Sequence, residues 1–99
     1  MTRHSKSTQY AEAWNNKGIA LYYLKQYSGA VKCYDKALEI NPQDADIWNN
    51  KGNALDDMKQ SKEAVQCYDK ALEINPQYAV VQSNRKIALK RFKCSQQMT

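Results

Sequence analysis

AEAWNNKGIALYYLKQYSGAVKCYDKALEINPQD, residues 11–44, runs without a gap into ADIWNNKGNALDDMKQSKEAVQCYDKALEINPQY, residues 45–78. The offset is 34 residues, and 23 of the 34 positions are identical. A third partial copy, AVVQSNRKIALKRFK, opens at Ala79. Such a period marks a repeat architecture in which each copy is one supersecondary unit.

Each copy divides into two helices. The first, near 11–24 and 45–58, is apolar at Ala13, Ala20, Leu21 and Leu24, and again at Ile47, Ala54, Leu55 and Met58. The second, near 28–40 and 62–74, is apolar at Ala30, Val31, Tyr34, Ala37 and Leu38, with Ala64, Val65, Tyr68, Ala71 and Leu72 in the same places. These are helical stripes and not strand alternation. Ser28, Ser61 and Asp44 are the expected N-caps. Asn41-Pro42 and Asn75-Pro76 end the second helices, because the residue before a proline is pushed out of the α region. Gly18 and Gly52 each cost a helix about 1 kcal/mol against alanine. A close helix crossing, with Ala30 or Ala64 on the facing helix and Trp14 or Trp48 covering it, is the expected compensation.

Those residues resemble the tetratricopeptide repeat, whose 34-residue pattern runs W-x2-L-G-x2-Y, then A-x3-F, then P. Trp14, Gly18, Ala30, Tyr34, Ala37 and Pro42 match in the first copy, and Trp48, Gly52, Ala64, Tyr68, Ala71 and Pro76 in the second. Lys17 and Lys51 replace the leucine, Leu21 and Leu55 the first aromatic, and Lys25 and Lys59 the turn glycine. The resemblance implies an all-α fold of antiparallel helix pairs stacked as a short right-handed superhelix. It also implies a concave face lined by the first helices, used to bind segments of other proteins, with no catalysis.

The expected organisation is a flexible N-terminal tail at 1–10, repeats at 11–44 and 45–78, a capping helix at 79–93 and a tail at 94–99. In the cap, Val81, Ala88, Leu89 and Phe92 keep the apolar register while Gln82 replaces tryptophan and Lys86 replaces glycine. A terminal repeat needs such a polar outer face. Leu89 and Phe92 are expected to stay partly exposed, so end-to-end homo-oligomers through 79–93 form a second expectation.

The chain of 99 residues carries a net charge of +5. Residues 79–99 hold Arg85, Lys86, Lys90, Arg91 and Lys93 with no acid, while the repeat body is slightly acidic. Nucleic-acid binding through that helix is the weaker reading, because no aromatic interleaves with the charge except Phe92, which the register assigns to packing. The one histidine, His4, lies near the N-terminus, and Cys33, Cys67 and Cys94 make no CxxC pair. No enzyme, metal or cofactor is therefore expected. No apolar run reaches the length of a membrane span, which makes a cytoplasmic location the default.

The expected binding surface takes Glu12, Asn15, Asn16, Ile19 and Tyr22 from the first copy. It takes Asp46, Asn49, Asn50, Asn53 and Asp56 from the second, and Ser83, Asn84, Ile87 and Lys90 from the third. Asn16, Asn50 and Asn84 recur at one position, and such a ladder suits either the main chain of a bound peptide or bonds between helices. Some relatives clamp the carboxylate tail of chaperones with lysine, asparagine and arginine. Here Asn50 fits one clamp asparagine, but Asn15, Ile19, Val80 and Asn84 stand at other clamp positions, so that clamp is not supported. A different pairing is expected at the cap, with Lys90 or Arg91 against Asp56 or Asp57.

Overall fold

The computed structural model describes the backbone of residues 2–97 and the side chains of residues 9–96. Within them the chain forms α1 (Thr2–Tyr23), α2 (Tyr27–Ile40), α3 (Ala45–Asp57), α4 (Ser61–Ile74) and α5 (Ala79–Gln97). Consecutive helices pack side by side, with α1, α3 and α5 also touching along one edge. The result is a short superhelical stack of 52 × 29 × 17 Å.

Two boundaries differ from expectation. The segment 2–10, expected as a tail, continues α1, and 94–97 continues α5. Neither segment contains a proline or glycine, so nothing in either halts a helix already nucleated by its packed neighbour.

The turns inside the repeats explain a second difference. Lys25 and Lys59 have φ of 62° and 65°. The N–H of Gln26 bonds the carbonyl of Leu21, and that of Lys25 the carbonyl of Tyr22; Gln60–Leu55 and Lys59–Asp56 repeat the pair. This is the Schellman ending that normally calls for glycine at the left-handed position. The turn conformation is thus kept although lysine replaces glycine. Because the chain reverses so tightly, α2 and α4 begin at Tyr27 and Ser61, and the cap positions are Gln26 and Gln60 without a side-chain bond. Ser28 lies inside α2 and Ser61 is the first residue of α4, so neither is an N-cap. Asp44 is one: its side chain accepts from the N–H groups of Asp46 and Ile47.

The core consists of two linked clusters. One joins Ala30, Tyr34, Ala37 and Leu38 to Ile47 and Ala54. The other joins Leu55, Ala64, Cys67, Tyr68 and Ala71 to Val81 and Ala88. A Cβ added at Gly18 or Gly52 would stand 2.5 Å from the ring of Tyr34 or Tyr68. The glycines therefore seat a tyrosine ring rather than face an alanine. Trp48 is half-buried, and its indole N–H donates to the carbonyl of Pro42 at 2.9 Å. Gln82, in the tryptophan position of the cap, makes the same bond to Pro76, also at 2.9 Å.

Of the stripe expected to be core on α1, Leu21 packs against the core while the other three residues do not. Ala13 and Ala20 are exposed, and Leu24 is 66% exposed. Among the described residues no helix covers that side of α1, whereas α2 covers α3 and α4 covers α5. Leu89 and Phe92 are half-buried and so remain partly exposed, in line with expectation.

Candidate functional site

Four of the polar bonds between the first helices share one spacing. Asn50 Nδ2 donates to Asn15 Oδ1 at 3.0 Å, and Asn84 Nδ2 to Asn49 Oδ1 at 3.1 Å. Tyr22 OH donates to Asp57, and Arg91 Nη1 to Asp56 Oδ2 at 2.5 Å. All four pairs are separated by 35 residues and not by the 34 of the repeat. Successive residues on a helix point about 100° apart. One residue therefore faces the following helix while its neighbour faces the preceding one, and the pairs are offset by one.

This stagger decides the cap pairing. Arg91, and not Lys90, reaches Asp56, which also accepts from Ser61 Oγ at 3.0 Å. Asp57 is taken by Tyr22. A second ion pair, Arg85 to Asp69 at 2.5 Å, fastens α5 to α4, and Lys51 to Asp35 at 2.6 Å fastens α3 to α2 in the same way.

Two hollows open on the face shared by α1, α3 and α5. One, of about 140 Å³, is lined by Ile19, Tyr22, Tyr23, Tyr34, Asn50 and Asn53. The other, of about 170 Å³, is lined by Tyr22, Asn53, Asp56, Asp57, Tyr68, Asn84, Ile87 and Arg91. Tyr22 and Asn53 belong to both, so the two hollows are neighbouring parts of one trough. Each is far below the roughly 300–1,000 Å³ of a small-molecule pocket. They fit single side chains. A larger hollow of about 600 Å³ lies between α2 and α4, with Lys51 and Asp35 in its wall.

Of the residues expected on the binding surface, Ile19, Tyr22, Asn50, Asn53, Asp56, Asn84 and Ile87 line these hollows. Asn15 and Asn49 lie beneath, accepting from the ladder. Glu12, Asn16, Ser83 and Lys90 are exposed beyond the hollows, and Asp46, also exposed, accepts from Tyr78 OH. Tyr34 and Tyr68 were not anticipated, because they come from second helices and read as core. The available signal was the recurrence of a glycine and a tyrosine, Gly18 with Tyr34 and Gly52 with Tyr68, since each glycine seats a ring and the Tyr68 hydroxyl goes on to Asn53.

The hydroxyls are all donors at neutral pH. Burial pushes Tyr34 up to about 12. Burial also raises Tyr68, and burial followed by the bond to Asp57 raises Tyr22. Tyr68 OH donates to Asn53 Oδ1 at 2.6 Å, and Asn84 Nδ2 approaches the same oxygen at 3.4 Å. Asn53 Oδ1 is thereby committed to the protein, which turns its amide nitrogen outward as donor. Asn50 and Asn84 commit a nitrogen and keep their carbonyl oxygens as acceptors. The ladder therefore ties the helices together and still offers alternating donor and acceptor groups.

Among the described residues no cluster of three metal-ligating side chains occurs, and no helix is long and apolar enough to cross a membrane. The fold is similar to that of the first TPR of Spaghetti (RPAP3) bound to HSP90 peptide SRMEEVD. There the TM-score is 0.84 at 24% identity, over 86% of this chain and 68% of that one. The Arabidopsis OM64 TPR domain is as near, with TM-score 0.84 at 26% identity over 87% and 71%. In sequence, 40 residues are 40% identical to the Protein STIP1 homolog of Dictyostelium discoideum. That match takes in 40% of this chain and 7% of the length of that protein. The model of the Tetratricopeptide repeat family matches residues 11–44 and again 45–78. With two adjacent repeats matched over most of its length, the chain belongs to the tetratricopeptide repeat family.

Proposed function

We propose that the chain is a protein-interaction module that holds an extended segment of another polypeptide along the trough of α1, α3 and α5. The observation that carries this reading is the trough itself. Its side-chain-sized hollows are joined through Tyr22 and Asn53, and its walls are pinned by the ladder. An extended main chain offers one donor and one acceptor per residue, which the amides of Asn50, Asn53 and Asn84 complement. Ile87, 49% exposed, adds an apolar contact at the C-terminal end. Pinned walls lower the ordering cost of binding. That a protein of the same fold holds HSP90 peptide SRMEEVD supports a peptide as the ligand class. The chaperone-tail clamp is not part of the proposal, since Asn50 fits one of its positions while Asn15, Ile19, Val80 and Asn84 stand at the others.

The basic cap does not favour nucleic acid. Of its five cations, Arg85 is held by Asp69 and Arg91 by Asp56. Fewer free charges means fewer phosphate contacts and a shallower salt dependence.

The test is selection from a random peptide library, followed by titration of the best peptide. Ile87→Glu should weaken binding by about tenfold or more, the scale of a hot-spot contact. Lys70→Glu, beside the hollow between α2 and α4, should leave the affinity within about twofold. Selected peptides that bind Ile87→Glu as well as the wild type would remove the trough as the site.

A further inference from the structure

The open side of α1 repeats a docking surface that the structure shows occupied twice. On α3, Ile47 is 1% and Ala54 0% exposed beneath α2; on α5, Val81 and Ala88 are both 0% exposed beneath α4. The same positions on α1 are Ala13 and Ala20, both exposed. Around them Tyr10 is 62% and Leu24 66% exposed.

The two occupied copies also show what the cover looks like. In each it is a helix with an aliphatic, an acid and an aliphatic at spacings of four and three: Val31, Asp35, Leu38 in α2, and Val65, Asp69, Leu72 in α4. Such spacing sets the three on one face of a helix. The acid takes a cation of the covered helix, Asp35 with Lys51 at 2.6 Å and Asp69 with Arg85 at 2.5 Å. Just past the cover helix, a proline carbonyl accepts from a side chain of the covered helix: Pro42 from Trp48, Pro76 from Gln82.

On α1 every receiving group is present. Lys17 stands where Lys51 and Arg85 stand, and Trp14 where Trp48 and Gln82 stand. Among the described residues Lys17 has no carboxylate partner, and its ammonium lies over the ring of Trp14, 5.4 Å from the centroid.

We propose that the open side of α1 is a second docking surface, for an amphipathic helix of a partner protein bearing an aliphatic–x3–Asp–x2–aliphatic stripe. The aspartate pairs with Lys17, the aliphatics pack on Ala13, Ala20 and Leu24, and a carbonyl past the helix end accepts from Trp14. A second copy of this chain is not the occupant. Its only helices with that stripe, α2 and α4, already have it covered by α3 and α5. The surface is separate from the trough, so it holds or fails independently of the proposed peptide site.

The probe is a fluorescein-labelled peptide of residues 61–78, which carries the stripe of α4 and its Asn-Pro end. It is titrated with the full chain and read by anisotropy. Saturable binding is expected, weakened about tenfold by Lys17→Asp and equally by Asp69→Lys in the peptide, and restored when the two changes are combined. A peptide that displaced the protein's own α4 would not respond to Lys17. Ile87→Glu should leave this binding unchanged. Lys17 is exposed, so circular dichroism should show Lys17→Asp folded as wild type. Absence of saturable binding up to about 1 mM, the weak limit of specific association, overturns the proposal, as does binding indifferent to the swap. Sedimentation equilibrium of the chain alone should show a monomer. Self-association lost in Lys17→Asp would make the occupant a second copy and overturn the assignment to a partner.

Discussion

Replacing Gly52 with alanine should destabilise this protein, although alanine is the better helix former by about 1 kcal/mol. The new methyl carbon would stand 2.5 Å from Cε1, 2.9 Å from Cδ1 and 3.0 Å from Cζ of Tyr68. The ring would have to retreat by most of an ångström. It has little room, since Tyr68 is 1% exposed and its hydroxyl is anchored to Asn53 at 2.6 Å. Overpacking of this kind costs about 1–3 kcal/mol, and loss of the hydroxyl bond adds about 1 kcal/mol. Less the propensity gain, the net loss is about 1–3 kcal/mol. For a chain of this size that lowers the melting temperature by on the order of 10 °C. Gly29 is the internal control. A methyl there meets only the tip of Leu21 at 3.3 Å, a flexible end that can turn aside. Gly29→Ala should therefore stabilise by up to about 1 kcal/mol. Urea titration followed at 222 nm reads both, provided the slope m is unchanged. A Gly52→Ala variant as stable as the wild type, or two glycine variants shifting in the same direction, would refute the packing described here.

Other outcomes follow from single features. Lys59→Gly should stabilise by about 0.5–1 kcal/mol, because φ of 65° puts a Cβ in the left-handed region; a destabilised variant in the same urea assay counts against that turn. Stability should hold up to about pH 10 and fall as the pH rises from there through about 12. Tyr34 is raised in the fold from 10.0 to about 12 by burial, so the unfolded chain releases its proton first and the native state loses ground. Tyr22 and Tyr68 shift in the same direction. A melting temperature flat across that window would contradict the buried hydroxyls. Arg91→Ala should cost more stability than Arg85→Ala, by comparison of their urea midpoints.

The repeat period, the helix ends at Asn41-Pro42 and Asn75-Pro76 and the Asp44 cap could be read from the sequence, because each depends on local chemistry. The caps at Ser28 and Ser61 were misplaced for a physical reason. Two lysines adopt a glycine conformation, and nothing in a lysine announces that. The core of α1 was misread because burial of Ala13 and Ala20 depends on a neighbouring helix that no residue of α1 encodes. Ile47 and Ala54, in the same register, are buried only because α2 precedes them. At the trough, the asparagine ladder was visible as a recurrence, but its bonds were not. Their offset of 35 arises from helix rotation across an interface, which a 34-residue alignment conceals. Tyr68 was assigned wholly to the core when its ring is core and its hydroxyl faces the trough.

The two arginines of α5 allow the stagger to be tested as energy. Arg85 and Asp69 are both well exposed, with side-chain exposures of 38% and 48%, and such a pair is worth about 0–1 kcal/mol. Arg91 pairs with a different kind of acid. The side chain of Asp56 is 10% exposed, and its second oxygen is held by Ser61. Removing Arg91 leaves a nearly buried carboxylate with one neutral partner. A fully buried pair broken in this way loses about 3–5 kcal/mol. Arg91 itself is 55% exposed, so water enters the site more readily and about 1–2 kcal/mol is the fitting scale. Because Asp56 belongs to α3, this arginine ties the cap to the trough wall, whereas Arg85 ties it to α4. A double-mutant cycle with Asp56→Asn and Arg91→Ala should give a coupling of at least about 0.5 kcal/mol, largely retained in strong salt because Asp56 is shielded from counter-ions. The cycle for Asp56→Asn with Lys90→Ala should give none. Equal coupling to Lys90 and Arg91, or coupling that vanishes in salt, would mean that the one-residue stagger does not govern how the cap meets the trough.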